Sequence, residues 1–98
     1  MVHTVVVHLY AKDDADAIAK VASKLVEASQ IYVKDKGTLD WFVMQDHQDK
    51  RAFTIVERYD VEASLDIHRA NPFFATFGPY MQPLLEKPYE VRRFNELI

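Results

Sequence analysis

The side chains best suited to chemistry are concentrated between Glu57 and Phe77. A carboxyl group at Glu57 and a phenol at Tyr59 close one strand-like run, and an imidazole follows at His68. An aromatic cluster comes directly after it, made of Phe73, Phe74 and Phe77. A histidine can exchange a proton near neutral pH because its ordinary pKa lies there. We therefore expect any specific chemistry of the chain to be centred on this stretch.

Several kinds of site are excluded by what the chain lacks. Its two glycines, Gly37 and Gly78, cannot form a phosphate-binding loop or a dinucleotide fingerprint, and the lack of cysteine excludes thiolate catalysis and disulfides. The four histidines are scattered, and His3 and His8 lie five residues apart, so they point to opposite faces of a strand. A two-histidine metal site within one element is not indicated. We expect neither a metal nor a cofactor.

Charge and length restrict the class of protein further. The net charge of −3 does not favour binding to a phosphate backbone, so we expect no nucleic-acid partner. No apolar run approaches the roughly 20 residues that a membrane helix needs, and no targeting segment is visible, so we expect a cytoplasmic protein without membrane contact. The 98 residues fit one domain, 1–98, with little room for a deep internal cavity.

The elements that must position these side chains follow from hydrophobic periodicity. Alternating, β-branched runs predict strands over residues 2–10, 38–47, 51–59 and 89–97, and helical spacing predicts helices over residues 15–33 and 61–70. Asp60 is the expected N-cap of the second helix. Pro72 ends that helix and begins another helical stretch, within which Gly78-Pro79 predicts a kink or a stop.

This order of elements predicts an α+β domain of the ferredoxin-like type, β-α-β-β-α-β, with a four-stranded antiparallel sheet and both helices on one face. The predicted strands carry large apolar residues on both sides, so the second face of the sheet would be exposed in a monomer. Exposed apolar patches of that size usually mark an interface. We therefore expect a homodimer formed through the sheet face.

The pattern from Glu57 to Phe74 resembles that of the antibiotic biosynthesis monooxygenase family. In that family a strand ends in Glu-x-(Trp/Tyr), an Ala follows four residues later, a His five further on, and then a Ser-Pro-His-Phe-like segment. The corresponding residues here are Glu57, Tyr59, Ala63 and His68, followed by Asn71-Pro72-Phe73-Phe74. Chain length, element order and the Gly37 turn extend the resemblance over nearly the whole chain. It departs at Phe73, where members often carry a second His.

The resemblance implies a dimeric α+β barrel with a pocket between sheet and helices in each subunit. Some members oxidise quinols or anthrone-like aromatics with molecular oxygen and no cofactor, others degrade haem, and many have no demonstrated activity. We expect a cofactor-independent monooxygenase that acts on a small aromatic quinol- or anthrone-type substrate. A deprotonated phenol or anthrone can reduce oxygen itself, so the protein needs an apolar pocket, a base or hydrogen-bond partner, and exclusion of water.

In this interpretation His68 is the catalytic acid/base or hydrogen-bonding group. The expected substrate-binding residues are Trp41, Tyr59, Phe73, Phe74, Phe77 and His8. Each also has a structural interpretation: His68 can lie at the helix rim against backbone, the aromatic residues can be core, and His8 can lie in the dimer interface. For Glu57, which faces inward and needs a partner, we favour over a catalytic role a structural ion pair with an arginine, either Arg93 of the neighbouring last strand or an arginine of the other subunit.

Two other functions are compatible with the same residues. One is a non-catalytic dimeric module that binds a hydrophobic small molecule or a protein partner, which the missing second His favours. The other is haem binding or degradation, which requires an axial His and additional polar groups beside it.

Overall fold

Four strands and three α-helices make up the fold in the computed structural model, which describes all residues, Met1–Ile98. They run in the order β1 (His3–Tyr10), α1 (Ala15–Tyr32), β2 (Thr38–Gln45), β3 (Ala52–Tyr59), α2 (Ser64–Ala70), α3 (Pro72–Met81) and β4 (Glu90–Asn95), with a short 3-10 turn at Gln82–Leu84 after α3. The predicted ferredoxin-like α+β class is confirmed. None of the helices combines the length and apolar character needed to cross a membrane.

The sheet is antiparallel throughout, with the strand order β2-β3-β1-β4. The two central strands are rich in β-branched residues, which pack well on a pleated surface covered on at least one side. The register places Val5 of β1 opposite Glu57 of β3 on one side and opposite Arg93 of β4 on the other. These three side chains therefore share one row and point to the same face.

The core lies between that face and the helices. Alternate residues of β1 and β3 are buried there, and α1 contributes one apolar stripe, comprising Ala17, Val21, Leu25, Ala28 and Tyr32. The N-terminus of α1 is capped by the Asp14 carboxylate, which accepts a hydrogen bond from the Ala17 N–H at 3.1 Å. Helix α1 therefore packs on the sheet, and its last residue, Tyr32, is buried against it.

The predicted start of the second helix is wrong by three residues, because α2 begins at Ser64. The Asp60 carboxylate does cap, but it caps the preceding turn, accepting from the Val61 N–H at 2.7 Å and from the Ser64 hydroxyl at 2.5 Å. The Asp60 N–H in turn donates to the Gly37 carbonyl at 2.9 Å. This turn sets the position at which α2, and with it His68, begins.

The helix does not stop at Gly78-Pro79, since α3 is continuous from Pro72 to Met81 with Pro79 inside it. Pro79 lacks an N–H, which removes one intrahelical hydrogen bond near the end of the helix. The helix nevertheless closes normally, because the Gln82 N–H donates to the Gly78 carbonyl. At its other end the Asn71 side chain caps α3 through the Phe73 N–H at 3.0 Å.

The second face of the sheet is open, as the patterning predicts. It exposes the large apolar side chains of Phe42, Met44 and Phe94. Beside them Arg58 donates hydrogen bonds to Asp40 and to Glu96, each at 2.7 Å. Strand β4 is exposed along its whole length, because it lies at the sheet edge beyond the helices.

Candidate active site

A cavity of about 450 Å³ lies between the sheet and the pair α2–α3. Its volume is within the range of roughly 300–1,000 Å³ that is usual for small-molecule sites. Most of its 18 lining residues are hydrophobic. The space is open to solvent on one side, so it is a cleft and not the deep internal cavity for which the chain length leaves little room. On the side of β4 its lining residues are exposed, namely Tyr89, Val91 and Arg93.

The structure brings four of the seven predicted site residues to this cavity: His68, Trp41, Phe74 and Phe77. Tyr59 is fully buried behind the lining, where its hydroxyl contacts Glu57. Phe73 packs edge-on against Tyr32 at 5.4 Å between ring centroids, outside the lining. His8 alternates with the inward-facing residues of β1, so its side chain lies on the open face of the sheet. There it is hydrogen-bonded to the Thr54 hydroxyl at 2.9 Å.

His68 is at the centre of the site rather than at the rim of its helix. It is only 4% exposed, and its ring lies 4.1 Å from that of Tyr32, 5.4 Å from Phe74 and 5.7 Å from Tyr59. The expected hydrogen bond to neighbouring backbone is absent, since Nδ1 has no partner. Burial, helped by the positive charge of Arg69, lowers the pKa of His68 to about 4. The imidazole is therefore neutral at physiological pH.

Glu57 lies directly beside it. Its Oε1 is 3.6 Å from the His68 Nε2 and accepts a hydrogen bond from the Tyr59 hydroxyl at 2.6 Å. Burial raises the pKa of Glu57 to about 7, against the opposing effects of the Tyr59 donor, the neighbouring Trp41 indole and the charge of Arg69. This carboxyl group therefore changes its charge near neutral pH.

The ion pair predicted between Glu57 and Arg93 of the same chain is wrong. Strand β1 lies between their two strands, which separates the two backbones by two strand spacings, about 10 Å. Arg93 instead donates to the His3 Nε2 at 3.0 Å and pairs with Glu62 at 2.9 Å. Glu57 thus has no cationic hydrogen-bond partner, which is why burial dominates its pKa.

Three residues lining the cavity each carry a buried polar atom without a hydrogen-bond partner. They are the Tyr32 hydroxyl, the Trp41 Nε1 and the His68 Nδ1. The Trp41 N–H faces the Glu57 side of the site, because the two residues are cross-strand neighbours, but it lies outside hydrogen-bonding geometry. Unsatisfied buried polar atoms are rare and usually indicate a missing water or ligand. All three residues line the same apolar space, which makes this space the candidate site.

Some lining residues were not predicted from the sequence. Tyr32 has the helical spacing of a core residue, and Arg69 has no distinguishing pattern beyond its position next to His68. Glu57 was recognised as inward-facing and assigned only a structural role. No group of three or more His, Asp or Glu side chains is placed to hold a metal ion.

Comparison with known proteins adds to this geometry. The model of the family described as antibiotic biosynthesis monooxygenase matches residues 2–79. The chain belongs to the antibiotic biosynthesis monooxygenase family. No curated protein sequence matches it significantly. The resemblance expected from the Glu57–Phe74 pattern is thereby confirmed, and the matched residues include nearly the whole cavity.

Solved structures share the family fold at low sequence identity. Rv0793 from Mycobacterium tuberculosis superposes with a TM-score of 0.89 at 18% identity, covering 100% of this chain and 97% of that one. PA3566 from Pseudomonas aeruginosa gives 0.86 at 21%, covering 99% and 95%. A variant of SnoaB, a cofactor-independent oxygenase from Streptomyces nogalater, gives 0.84 at 11%, covering 99% and 94%. At these identities the likeness concerns the fold.

Proposed function

We propose that the protein is a cofactor-independent monooxygenase that oxidises a small aromatic quinol- or anthrone-type molecule with molecular oxygen. The observation that carries the proposal is the apolar cavity, whose lining residues Tyr32, Trp41 and His68 each have a buried polar atom without a hydrogen-bond partner. Membership of the monooxygenase family and the fold shared with SnoaB, a cofactor-independent oxygenase, support it. Such a site can hold a flat aromatic ring and hydrogen-bond its oxygen substituent.

The reaction needs little from the protein beyond position and polarity. For an anthrone, the ring methylene loses a proton, and the resulting electron-rich carbanion reduces oxygen. One oxygen atom replaces the two methylene hydrogens as a carbonyl, and the other leaves as water. Neutral His68 would hydrogen-bond the substrate oxygen, Trp41 would orient the ring, and the apolar walls would exclude bulk water. Tyr59 acts indirectly, because its hydroxyl is bound to Glu57.

Oxygen uptake tests this function. We expect purified protein to consume oxygen above the buffer rate with at least one member of an anthrone and quinol panel. His68→Ala should reduce that rate about 100-fold or more, the usual effect of losing a positioned polar group at a reacting centre. His47→Ala, a change at an exposed turn histidine, is the matched control and should leave the rate unchanged. Absence of uptake with the whole panel would contradict the proposal.

A second candidate function is a non-catalytic module that binds a hydrophobic small molecule or a protein partner. It is favoured by Phe73, which stands where family members often carry a second His and which packs against Tyr32 outside the cavity. Thermal stabilisation by anthrone or a quinol without any oxygen uptake would support this function over the first.

We further propose that the chain is a homodimer formed through the open sheet face. The exposed apolar side chains of Phe42, Met44 and Phe94 on that face support it. A cytoplasmic location stays a prediction that cell fractionation can check.

A further inference from the structure

Glu57 is the one ionisable acid of the cavity, and the oxygenase chemistry above leaves the acceptor of the substrate's carbon-bound proton unassigned. The carboxyl group is 5% exposed and lies among the lining residues. Oε1 is held by the Tyr59 hydroxyl at 2.6 Å. Oε2 has no hydrogen-bond donor, yet it is not among the fully buried unpartnered atoms. Oε2 is therefore the oxygen that opens toward the cavity.

We propose that Glu57 is the general base of this cavity, and that the site catalyses reversible removal of a carbon-bound proton from an aromatic ketone without needing oxygen. Proton exchange between the keto form and its enol is thus an activity of the protein by itself. The proposal rests on the substrate class assigned under the proposed function, but it does not rest on oxygen reduction. It makes Glu57 a catalytic residue, contrary to the structural role expected from its sequence context.

The step balances without any oxidant. The C–H bond next to the aromatic ring breaks, its proton moves to Oε2 of Glu57, and the electron pair moves into the carbonyl to give an enolate. The reverse step returns a proton from Glu57 to the same carbon. The enolate oxygen requires a hydrogen-bond donor or a positive charge, and the guanidinium groups of Arg69 and Arg93 belong to the lining of the same cavity.

The alternative base, His68, is disfavoured by its surroundings. Its ring is enclosed by Tyr32, Phe74 and Tyr59, and burial holds its pKa at about 4, so it is a weak proton acceptor. Glu57 has a pKa of about 7, which is close to the optimum for a general base at neutral pH. Proton transfer to Glu57 is therefore the better matched step.

The ionisable and charged groups that face Glu57 come from several elements. They are Tyr32 from α1, Tyr59 from β3, His68 and Arg69 from α2, and Tyr89 and Arg93 at β4. Helix α3 contributes only uncharged lining residues. Of these groups, only the Tyr59 hydroxyl donates a hydrogen bond to Glu57. Removing this neutral hydroxyl should raise the pKa of Glu57 without removing any charge from the site.

Deuterium exchange under anaerobic conditions tests the proposal. Anthrone is incubated with the protein in D2O without oxygen, and incorporation of deuterium at the ring methylene is followed by NMR or mass spectrometry. We expect wild type to exceed the buffer rate and Glu57→Gln to lose this excess by at least about 100-fold. Glu27→Gln, a change at an exposed carboxyl group on α1 of side-chain exposure 54%, is the matched control and should retain it. Exchange that persists in folded Glu57→Gln overturns the proposal.

A second variant keeps the test decisive if Glu57→Gln does not fold. Tyr59→Phe removes the donor that stabilises the Glu57 carboxylate, so the midpoint of the exchange rate against pH should move upward from about 7. An unchanged midpoint contradicts the role of Glu57. Oxygen uptake without anaerobic exchange would reject this proposal and keep the proposed function, whereas exchange without uptake would do the reverse.

Discussion

At the scale of single residues, burial acts in opposite directions on two neighbouring groups. It disfavours the charged form of each, so the pKa of Glu57 rises to about 7 while that of His68 falls to about 4. The 3.6 Å contact between them therefore joins two neutral groups in mildly acidic solution. The pKa shifts of such a carboxyl–imidazole pair can be inferred only from the groups that surround the two side chains, because neither residue type indicates its own burial.

The first prediction concerns stability against pH. Between pH 4.5 and about 7 the folded protein keeps the Glu57 proton that the unfolded chain has released, so this group lowers stability as pH rises. Between about 4 and 6.5, His68 acts oppositely, because the unfolded chain holds its proton and the folded one does not. Over the shared window the two contributions nearly cancel in wild type.

Replacing Glu57 by Gln removes only the contribution that lowers the free energy of unfolding as pH rises. Relative to wild type, Glu57→Gln should therefore gain roughly 3 kcal/mol in free energy of unfolding between pH 4.5 and pH 8. Denaturant unfolding at the two pH values measures this difference. The free energy of unfolding of Glu62→Gln, a change at an exposed position, should depend on pH as that of wild type does. If Glu57→Gln also followed wild type, Glu57 would not titrate as described.

At the scale of elements, the site depends on where α2 starts and how it is held against the end of α1. Gly37, with φ of 87°, approaches the first turn of α2 so closely that a β-carbon there would overlap the Ser64 side chain and the Asp60 carboxylate. The Asn71 amide adds a second tie, donating to Asp35 at 2.9 Å. Together these contacts set the position of the helix that carries His68.

The second prediction compares the two glycines. Gly37→Ala should destabilise the protein by about 2 kcal/mol or more, because it combines an unfavourable backbone conformation with steric overlap. Gly78→Ala lies within α3 and meets nothing within 4 Å, so it should be neutral or stabilise by up to about 1 kcal/mol. Thermal or denaturant unfolding of both variants measures the contrast. Equal effects would contradict the close packing of the Gly37 turn on α2.

At the scale of the whole molecule, the helices cover one sheet face and leave the other open. The open face combines apolar side chains at Phe42, Met44 and Phe94 with the network of Arg58 between Asp40 and Glu96. Exposure of three such large apolar groups on one flat surface is unfavourable for an isolated monomer in water. This is the physical basis for the proposed homodimer.

The third prediction tests that assembly. Wild type should sediment as a dimer at micromolar concentration, and Phe42→Asp should shift it toward monomer, because a carboxylate in the centre of an apolar interface lacks a partner. Val26→Asp changes an equally exposed apolar residue on α1, away from the open face, and serves as the control. A wild-type monomer, or the same shift in both variants, would refute the sheet-face dimer.

Local chemistry in the sequence determined the elements, their order and the family. Strand alternation, helical spacing and turn residues each depend on a few neighbouring positions, so they can be recognised in the sequence alone. The predicted strand and helix bounds lie within about three residues of those observed. The inward direction of Glu57 could also be predicted from the sequence. Tertiary structure decided which groups meet: the register put β1 between Glu57 and Arg93, and helix docking put His68 in the place of the arginine. Those pairings depend on contacts between residues far apart in sequence, which no local pattern encodes. They placed a carboxyl group expected to form an ion pair beside an imidazole, where burial raises its pKa to about 7.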